Sequence, residues 1–312
     1  MNKHILVTGG SGFVGSALIK RLLSEHRDIL AVGRSDVNLP VETVKVSSFS
    51  ELGALGQRLG SVDVVVHCAA RAHIMNDDTV DPLAEYRKVN VDGTLNVARH
   101  ALEAGVKRFL FVSSIKVNGE HTPPGRPFTE EAAPAPEDPY GISKYEAERE
   151  LQALCAETGM ELVIIRPPLV YGPGVKGNFA SMIRLMEKGL PLPLGAVRNK
   201  RSLVALDNLV DLIVTCVDSP AAANQVFLAA DGQDISTTEL LRNVANAMGK
   251  PARLLPVPSG LLMLGASLFG KKAVAKRLLG SLQVDISKAR ELLGWQPPVS
   301  VEEGLARAVR VN

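Results

Sequence analysis

The chain has few of the residues that mark disulfide-bonded, metal-binding or membrane-spanning proteins. It contains 3 cysteines among 312 residues, and they are scattered without ligand spacing. This distribution excludes a disulfide framework and a cysteine-based zinc site. No apolar run reaches the roughly 18 residues that a membrane-spanning helix needs. The first apolar run is short and ends in glycines, unlike a signal peptide. We therefore expect a cytoplasmic protein with reduced cysteines and no membrane insertion.

The chain also lacks a strong excess of charge of either sign. It has 35 basic and 33 acidic residues, for a net charge of +2, which gives no electrostatic reason to bind nucleic acid. Aromatic residues make up only 4%, yet hydrophobic residues reach 46%, enough for a substantial core. The length fits one large domain or two closely joined ones. We expect small molecules as partners, and neither nucleic acid nor a metal.

The most informative feature present is a glycine-rich turn near the N-terminus. A short apolar run ends at Gly9, and Gly12 and Gly15 follow at regular spacing. A helical apolar pattern then begins at Phe13 and Val14. In a dinucleotide-binding loop the first glycine allows a tight turn, the second a close approach to the diphosphate, and the third close packing of helix on strand. A helix start without a ligand is the alternative. The strand before and the helix after favour a dinucleotide, and thus hydride chemistry.

Strand and helix patterns alternate through the first half of the chain. Strands are predicted at 28–33, 42–46, 62–67, 107–113 and 161–166, and helices at 82–104 and 139–158. Alternation of this kind predicts an α/β fold: a Rossmann-type, doubly wound parallel sheet with a smaller C-terminal α/β cap. We assign the dinucleotide-binding domain to 1–172 and the substrate-binding cap to 173–312, with 203–229 returning to the first domain. Cap helices are predicted at 179–188, 208–217, 237–248, 259–269 and 271–279.

One stretch of the cap permits two interpretations. Residues 260–269 are apolar, and Lys271, Lys272, Lys276 and Arg277 follow them. The pattern fits a membrane-surface segment, and it also fits buried cap helices with a basic exposed end. We favour the buried helices, whose basic end would face solvent or an anionic ligand.

A tyrosine and a lysine supply candidate acid–base chemistry. Tyr140 and Lys144 lie four residues apart on one predicted helix face. A nearby ammonium and an oxidised nicotinamide would lower the tyrosine pKa from about 10. The phenol could then exchange a proton with a substrate hydroxyl while hydride moves. Ser113 and Ser114 end a predicted strand and offer a hydroxyl to polarise the reacting oxygen.

These features together resemble the extended short-chain dehydrogenase/reductase family, and within it the nucleotide-sugar 4-epimerases, dehydratases and 4-ketoreductases. The matching segments cover almost the whole chain and are 8–15 (TGGSGFVG), 67–70 (HCAA), 90–96 (NVDGTLN), 112–114 (VSS), 140–144 (YGISK), 166–173 (RPPLVYGP) and 285–295. The resemblance implies that Tyr140 is the acid/base, that Lys144 positions the ribose and lowers the tyrosine pKa, and that Ser114 bonds the reacting oxygen. It also implies a homodimer formed through the helices at 82–104 and 139–158.

Candidate binding residues follow from the motifs and the resemblance. The cofactor-binding set is Gly9, Gly12, Phe13, Val14, Gly15, Arg34, Ser35, His67, Ala69, Ala70, Asn90, Val112, Tyr140, Lys144 and Pro167. The substrate-binding set is Lys116, Asn178, Phe179, Arg201 and Arg277. Arg201 is the candidate for the nucleotide diphosphate and Arg277 a weaker one; an ordinary surface arginine is the alternative for Arg201.

Two departures from the family pattern narrow the reaction. Ile115 and Lys116 stand where the 4,6-dehydratases carry an acidic pair, so water elimination is disfavoured. Gly33 stands where NAD-specific members carry an aspartate for the ribose, and Arg34 and Ser35 suit a 2′-phosphate instead. We therefore predict NADP(H). In the alternative, Arg34 stacks on the adenine of either cofactor, and NAD(H) is bound.

The choice of cofactor leads to three functional hypotheses. We favour NADPH-dependent reduction of the 4-keto group of a UDP-4-keto-6-deoxy-hexose, as in the formation of UDP-N-acetylquinovosamine for surface polysaccharide. The alternative is a UDP-glucose or UDP-N-acetylglucosamine 4-epimerase with tightly bound NAD. A non-catalytic nucleotide-sensing protein is the third, and the intact Ser114, Tyr140 and Lys144 argue against it.

Overall fold

A computed structural model describes residues 3–49, 52, 58–72 and 79–310. The first half contains β1 (His4–Thr8), α1 (Phe13–Ser24), β2 (Asp28–Gly33), β3 (Glu42–Lys45), β4 (Val64–His67), α2 (Pro82–Arg87), α3 (Gly93–Glu103), β5 (Arg108–Val112), α4 (Pro139–Thr158), β6 (Glu161–Arg166) and β7 (Leu169–Tyr171). The second half contains α5 (Gly177–Glu187), β8 (Leu203–Ala205), α6 (Leu206–Asp218), β9 (Gln225–Leu228), α7 (Thr237–Ala247), α8 (Ser259–Leu268), α9 (Lys272–Leu279), α10 (Ser287–Leu293) and α11 (Val301–Val309).

Seven parallel strands form the central sheet, in the order β3-β2-β1-β4-β5-β6-β9. Apolar clusters cover both of its faces, which explains why the strands are almost continuously hydrophobic. The strand order reverses between β1 and β4, and in such sheets ligands bind beyond the carboxyl ends of the strands at this point. The predicted Rossmann-type α/β fold is confirmed, and its geometry places the glycine turn beside the end of β4.

The chain returns to the central sheet after an excursion into the cap. β8 pairs with β7 in a separate two-stranded sheet, whereas β9 pairs in parallel with β6 at the edge of the large sheet. α6 packs in the same apolar cluster as α1. α6 and β9 therefore pack with the dinucleotide-binding half, and the domain limits at 172 and 173 stay a prediction.

The predicted strands agree with the structure within two residues at each end, and the long helix at 82–104 differs in form. It consists of α2 and α3 joined by a π-helical segment, Lys88–Asp92. Such segments widen the helix locally and occur frequently at functional sites. α10 and α11 were not predicted, because their apolar patterns are short and follow irregular chain.

The interpretation of 259–269 as a buried cap helix is wrong. α8 occupies this stretch, but none of its residues is buried. The spacing of its apolar residues predicted the helix correctly. Burial depends on whether other elements cover the helix, and the cap core forms elsewhere, around Tyr171, Phe179 and Leu305. Across the described ranges, no helix combines the length and the apolar character that a membrane span requires.

Candidate active site

Two close backbone approaches shape the glycine turn after β1. Gly9 has a φ of 69°, and a Cβ there would lie 2.8 Å from the backbone nitrogen of Ala69. A Cβ on Gly15 would lie 2.3 Å from the Gly9 oxygen, so α1 can approach the turn only with glycine at this position. Ala69 and its neighbour Ala70 are half-buried in the loop after β4. The glycine turn and this loop therefore lie against each other, as the sequence predicts.

The start of α1 offers backbone donors to an anion. Gly12 is the N-cap, and its N–H donates to the Gly9 oxygen at 2.8 Å. No side chain caps the helix and its first turn has no acidic residue, so the N–H groups of Phe13 and Val14 meet no competing carboxylate. A Cβ on Gly12 would approach only the Gly9 oxygen, at 3.0 Å. Open space, unused donors and the positive helix end fit a dinucleotide diphosphate.

The end of β2 carries no acidic side chain. Gly33 is buried there, and Arg34 and Ser35 are exposed beyond it. The next acid along the chain, Asp36, forms an exposed ion pair with Lys45 at 2.6 Å. The carboxylate that would bond the ribose 2′-hydroxyl of NAD is thus missing from the position that the fold provides for it.

Tyr140 reaches the end of β5 because α4 begins there. Asp138 caps α4, with its Oδ1 accepting from the Gly141 N–H at 2.7 Å. A Cβ on Gly141 would lie 2.9 Å from the Lys116 oxygen, so the first turn of α4 packs tightly on the turn Ile115–Val117. Ser114 caps that turn, accepting from the Lys116 N–H at 3.3 Å. The close packing brings Tyr140 and Ser114 together.

The environment of Tyr140 differs from the one expected. Burial raises the pKa of its phenol, and the charge of Asp138 raises it further, whereas a hydrogen bond with Ser114 lowers it. Lys144 is not among the groups that shift this pKa, so the expectation that Lys144 lowers it with a nicotinamide bound stays a prediction. The phenol stays protonated at neutral pH, and it can act as a base only when a cation is bound beside it.

Lys144 is enclosed within the protein. Its ammonium nitrogen Nζ donates to the Val112 oxygen at 2.7 Å and lies 4.0 Å from the centre of the Phe111 ring. Burial lowers its pKa to about 7, against the opposing charge of Glu148. The oxygen of Pro167, which follows β6, accepts from the Ile115 N–H at 2.9 Å and fixes the loop after β5. The backbone of Val112 therefore contacts Lys144, and the backbone of Pro167 lies beside the residue that follows Ser114.

Sequence reasoning missed a buried polar network beneath these residues. Glu148 pairs with Arg166 through two oxygens, at 2.5 and 3.0 Å in its closest contacts, and both side chains are almost fully buried. Ser113 donates to Glu148 at 2.5 Å, and Arg166 donates to Asn118 at 3.1 Å. The sequence did hold a signal, because Glu148 lies one turn beyond Lys144 on the same face of α4.

Two predicted cofactor ligands lie in the core with their polar atoms already bonded. The His67 ring nitrogens contact Thr8 at 2.9 Å and Thr94 at 3.1 Å, and burial lowers the pKa of the ring to about 3. Asn90, in the π-helical segment, bonds the backbone of Arg71 on both sides and donates to Ser143 at 3.0 Å. Both side chains are buried, so these bonds indicate that they position the loops around them. Direct contact of either residue with a cofactor stays a prediction.

The predicted substrate residues also divide into accessible and engaged groups. Phe179 is buried and stacks on Tyr171 in the cap core, and its contact with a substrate stays a prediction. The Lys116 ammonium pairs with Asp138 and, at 2.9 Å, with Glu120, so it holds the start of α4. The side chain of Asn178 lies outside the described residues.

Arg201 and Arg277 come together at the end of α9. Nη1 of Arg201 donates to the Arg277 oxygen at 2.7 Å and to the Gly280 oxygen at 3.3 Å. Burial lowers the pKa of Arg201, which is half-buried rather than an ordinary surface arginine. Arg277 is exposed and lies 3.8 Å from Glu120. The Arg201 guanidinium thus lies at the end of α9, the helix that carries Arg277.

Comparisons with known proteins agree with this geometry. Residues 5–230 match the model of the NAD dependent epimerase/dehydratase family. A UDP-glucose 4-epimerase of Vibrio cholerae is 52% identical over 99% of this chain and 95% of its own length. An N-acetyl-alpha-D-glucosaminyl-diphospho-ditrans,octacis-undecaprenol 4-epimerase of Escherichia coli O157:H7 is 30% identical, with the same coverage of 99% and 95%.

Solved structures share the whole fold. A UDP-glucose 4-epimerase of Thermotoga maritima, solved with UDP-glucose, has a TM-score of 0.79 at 26% identity and covers 99% of this chain and 98% of its own. A Thermus thermophilus UDP-glucose 4-epimerase, solved with NAD, has a TM-score of 0.78 at 23% identity and the same coverage. The chain belongs to the NAD dependent epimerase/dehydratase family and is an enzyme of the extended short-chain dehydrogenase/reductase type.

Proposed function

We propose that this protein is a 4-epimerase of UDP-hexoses, with UDP-glucose or UDP-N-acetylglucosamine as substrate and NAD as a tightly held cofactor. The observation that carries the proposal is the 52% identity, over nearly the full chain, to a UDP-glucose 4-epimerase. This protein has Ser114, Tyr140 and Lys144 near the carboxyl end of β5. This function replaces the 4-ketoreductase favoured by the sequence as the leading hypothesis.

Tyr140 and Ser114 would carry the proton and hold the reacting oxygen. When bound, the dinucleotide supplies the acceptor and donor of hydride. Tyr140 takes the proton of the C4 hydroxyl in one direction and returns it in the other, so one phenol serves both halves of an epimerisation. Ser114 donates a hydrogen bond to the same oxygen as its charge grows. Both side chains meet at the packed start of α4, which keeps them oriented.

Lys144 and the network below it would hold this arrangement. The Lys144 ammonium donates one of its three N–H bonds to the Val112 oxygen. The other two would be free to donate to the hydroxyls of the cofactor ribose. Glu148, fixed by Arg166 and Ser113, supplies the negative charge that keeps the buried ammonium protonated for more of the pH range. At the other end of the substrate, Arg201 and Arg277 would bind the UDP diphosphate.

A specific observation favours a second candidate, the NADPH-dependent 4-ketoreductase. Gly33, Arg34 and Ser35 end β2 without the carboxylate that suits NAD, and the exposed Arg34 could pair with a 2′-phosphate. A reductase releases its oxidised cofactor after each turnover, whereas an epimerase keeps it. The two candidates therefore differ in what the purified protein contains.

The decisive experiment measures cofactor content and reaction together. Protein purified without added cofactor is denatured, and the released nucleotide is identified by chromatography. For the epimerase we expect about one NAD(H) per chain, and conversion of UDP-glucose to UDP-galactose, or of the N-acetylated pair, with no reductant added. A protein that contains no NAD(H), fails to interconvert either pair and consumes NADPH with a UDP-4-keto-6-deoxy sugar would overturn the proposal.

Arg34→Ala separates the cofactor hypotheses at the residue. In the epimerase, NAD retention changes little, because Arg34 has no 2′-phosphate to bind. In the reductase, the Kd for NADPH rises by about tenfold or more through loss of a charged contact. Arg58→Ala, at an exposed arginine elsewhere in the dinucleotide-binding half, is the matched control.

A further inference from the structure

An apolar surface on the cap lies outside the proposed reaction. Six large hydrophobic side chains of α8, α9 and the turn between them are exposed, and we call them the α8–α9 patch: Leu261, Leu264, Leu268, Phe269, Val274 and Leu278. The exposed fraction reaches 79% for Leu268 and 81% for Phe269. α8 and α9 pack against each other, so these side chains belong to one pair of helices. Clusters of exposed apolar side chains often mark interaction sites.

α8 contributes nothing to the cores of the described chain. No residue of Ser259–Leu268 is buried, and none belongs to the apolar clusters that hold the cap or the sheet. α6, by contrast, buries nine of its residues. Leu261, Leu264 and Leu268 recur at the spacing of one helix face. The folding of the cap therefore does not account for the apolar character of this face.

The chain segment that carries the patch has only basic charged side chains. Residues 240–284 contain no aspartate or glutamate and seven lysines or arginines. The rest of the chain holds 28 basic and 33 acidic residues, so the excess positive charge of the protein is concentrated here. Lys271 and Lys272 follow α8 directly, and Lys276 is one turn further along; all three are exposed. Among the described residues they form no ion pair with an acid.

We propose that the α8–α9 patch docks on an anionic lipid surface. The apolar face of α8 would enter the boundary between headgroups and acyl chains, and the lysines of α9 would contact the lipid phosphates. At 10 residues, α8 is far too short to span a bilayer, so it would lie in the plane of the membrane. An apolar face flanked by lysines is the combination that interfacial helices use.

The docking surface adjoins the edge of the cap where Arg201 and Arg277 meet. Arg201 donates to the backbone of α9 at Arg277 and at Gly280. A membrane-bound α8–α9 pair would therefore hold this edge close to the lipid headgroups. The inference does not depend on the proposed reaction, because it rests on exposure and charge outside the catalytic residues.

Sedimentation with lipid vesicles tests the proposal on the full chain. We expect binding to vesicles of phosphatidylglycerol and phosphatidylethanolamine, weak binding to phosphatidylcholine vesicles, and loss of binding at high salt. Leu264→Ser combined with Phe269→Ser should lower the partition coefficient by about tenfold or more, since it removes two inserted side chains. Leu292→Ser, at an exposed leucine of α10, is the control and should bind as the parent does.

A second variant tests the charge and guards against misfolding. Lys271→Glu combined with Lys272→Glu should weaken binding to the anionic vesicles and reduce its dependence on salt, with the thermal melting temperature unchanged. The proposal fails if the parent protein does not sediment with anionic vesicles, or if both double variants bind like the parent. It also fails if the Leu264→Ser, Phe269→Ser variant changes a dimer to a monomer, because a second copy of the chain would then cover the patch.

Discussion

Among the catalytic candidates Ser114, Tyr140 and Lys144, Lys144 is the group that carries a positive charge, and burial changes its pKa strongly. It is enclosed between the Val112 carbonyl and the Phe111 ring, and its pKa falls to about 7 because burial disfavours the ammonium. A group with such a pKa changes charge readily near neutral pH. Glu148 opposes the loss of charge, so the balance at Lys144 is set by a residue on the next turn of α4.

This shift predicts a dependence of folding stability on pH. The folded pKa of Lys144 is about 7 and the ordinary value is 10.5, so the unfolded chain binds the extra proton between these values. The free energy of unfolding should therefore rise with pH across this window, by about 2 kcal/mol from pH 7 to 9. Lys144→Met should lack this rise. Urea unfolding of cofactor-free protein at pH 7 and pH 9 measures the change in the free energy of unfolding. An equal change in the parent and in Lys144→Met would contradict the prediction.

Tyr140→Phe tests the proton carrier. The substitution removes one oxygen and leaves the aromatic packing against Tyr86 in place. We expect kcat to fall by about a thousandfold or more, since acid–base catalysis by a placed side chain contributes up to about four powers of ten. The retained cofactor should change little, because the phosphate loop is distant in sequence and untouched. Phe13→Leu, at the start of α1 in the phosphate loop, is the comparison variant, and it should lower the amount of retained cofactor more than Tyr140→Phe does. Turnover near the parent level in Tyr140→Phe would refute the assignment.

Spacing revealed some site residues and not others. Tyr140 and Lys144 were visible because a helix places residues four apart on one face, and glycines were visible because the turn needs them. The burial of His67 was not visible, since its position at a strand end suits either a ligand contact or the core. Its ring contacts Thr8, Thr94 and three phenylalanines, which come from distant parts of the chain. Only the fold shows that the ring is buried.

Among the elements, α6 connects the cap to the central sheet. Arg108, at the start of β5, is only 5% exposed and extends to the carboxyl end of this helix. Its Nη1 donates to the oxygens of Cys216 at 2.6 Å, Val217 at 3.2 Å and Ser219 at 2.8 Å, while Nε donates to Glu161 at 2.7 Å. A cation at this end also matches the helix dipole. One side chain thus fixes where the chain returns from the cap to β9.

Arg108→Met should therefore destabilise the protein well beyond an ordinary surface change. The variant leaves three helix-end carbonyls without this donor and removes the buried partner of Glu161. We expect a loss of about 2–4 kcal/mol in the free energy of unfolding. Urea denaturation measures it, with Arg99→Met on the exposed side of α3 as the control within about 0.5 kcal/mol of the parent. Similar losses in the two variants would show that the Arg108 contacts contribute little.

Element types were easier to predict from the sequence than their packing. The strands of the sheet are continuous apolar runs, and their helices carry regular apolar faces. The return of β9 to the sheet edge rests on Arg108 and on packing between α6 and α1, neither of which has a local sequence signal. α8 illustrates the same limit, because a helical apolar pattern indicates a face and does not indicate what covers that face.

At the scale of the whole molecule, α2, α3 and α4 form one layer over the sheet. They pack together, and Arg87 of α2 pairs with Glu146 of α4 through two bonds, at 2.6 and 2.8 Å. The outer side of this layer is charged, with Arg149 and Glu150 exposed on α4. Charges of both signs on one face can match a second copy about a two-fold axis. The layer is therefore a suitable surface for the homodimer that the resemblance implies.

We predict a homodimer at micromolar concentration, with a mass by light scattering of twice the 33.3 kDa chain. Arg149→Glu should raise the dimer dissociation constant by about tenfold or more, because a two-fold interface meets each substitution twice. Arg242→Glu, at an exposed arginine of α7 in the cap, changes charge equally and should leave the mass unchanged. Leu264→Ser with Phe269→Ser should also stay dimeric, since α8 lies in the cap. A monomeric mass for the parent would refute the dimer, and a dimer weakened by Arg242→Glu but not by Arg149→Glu would move its interface from α4 to the cap.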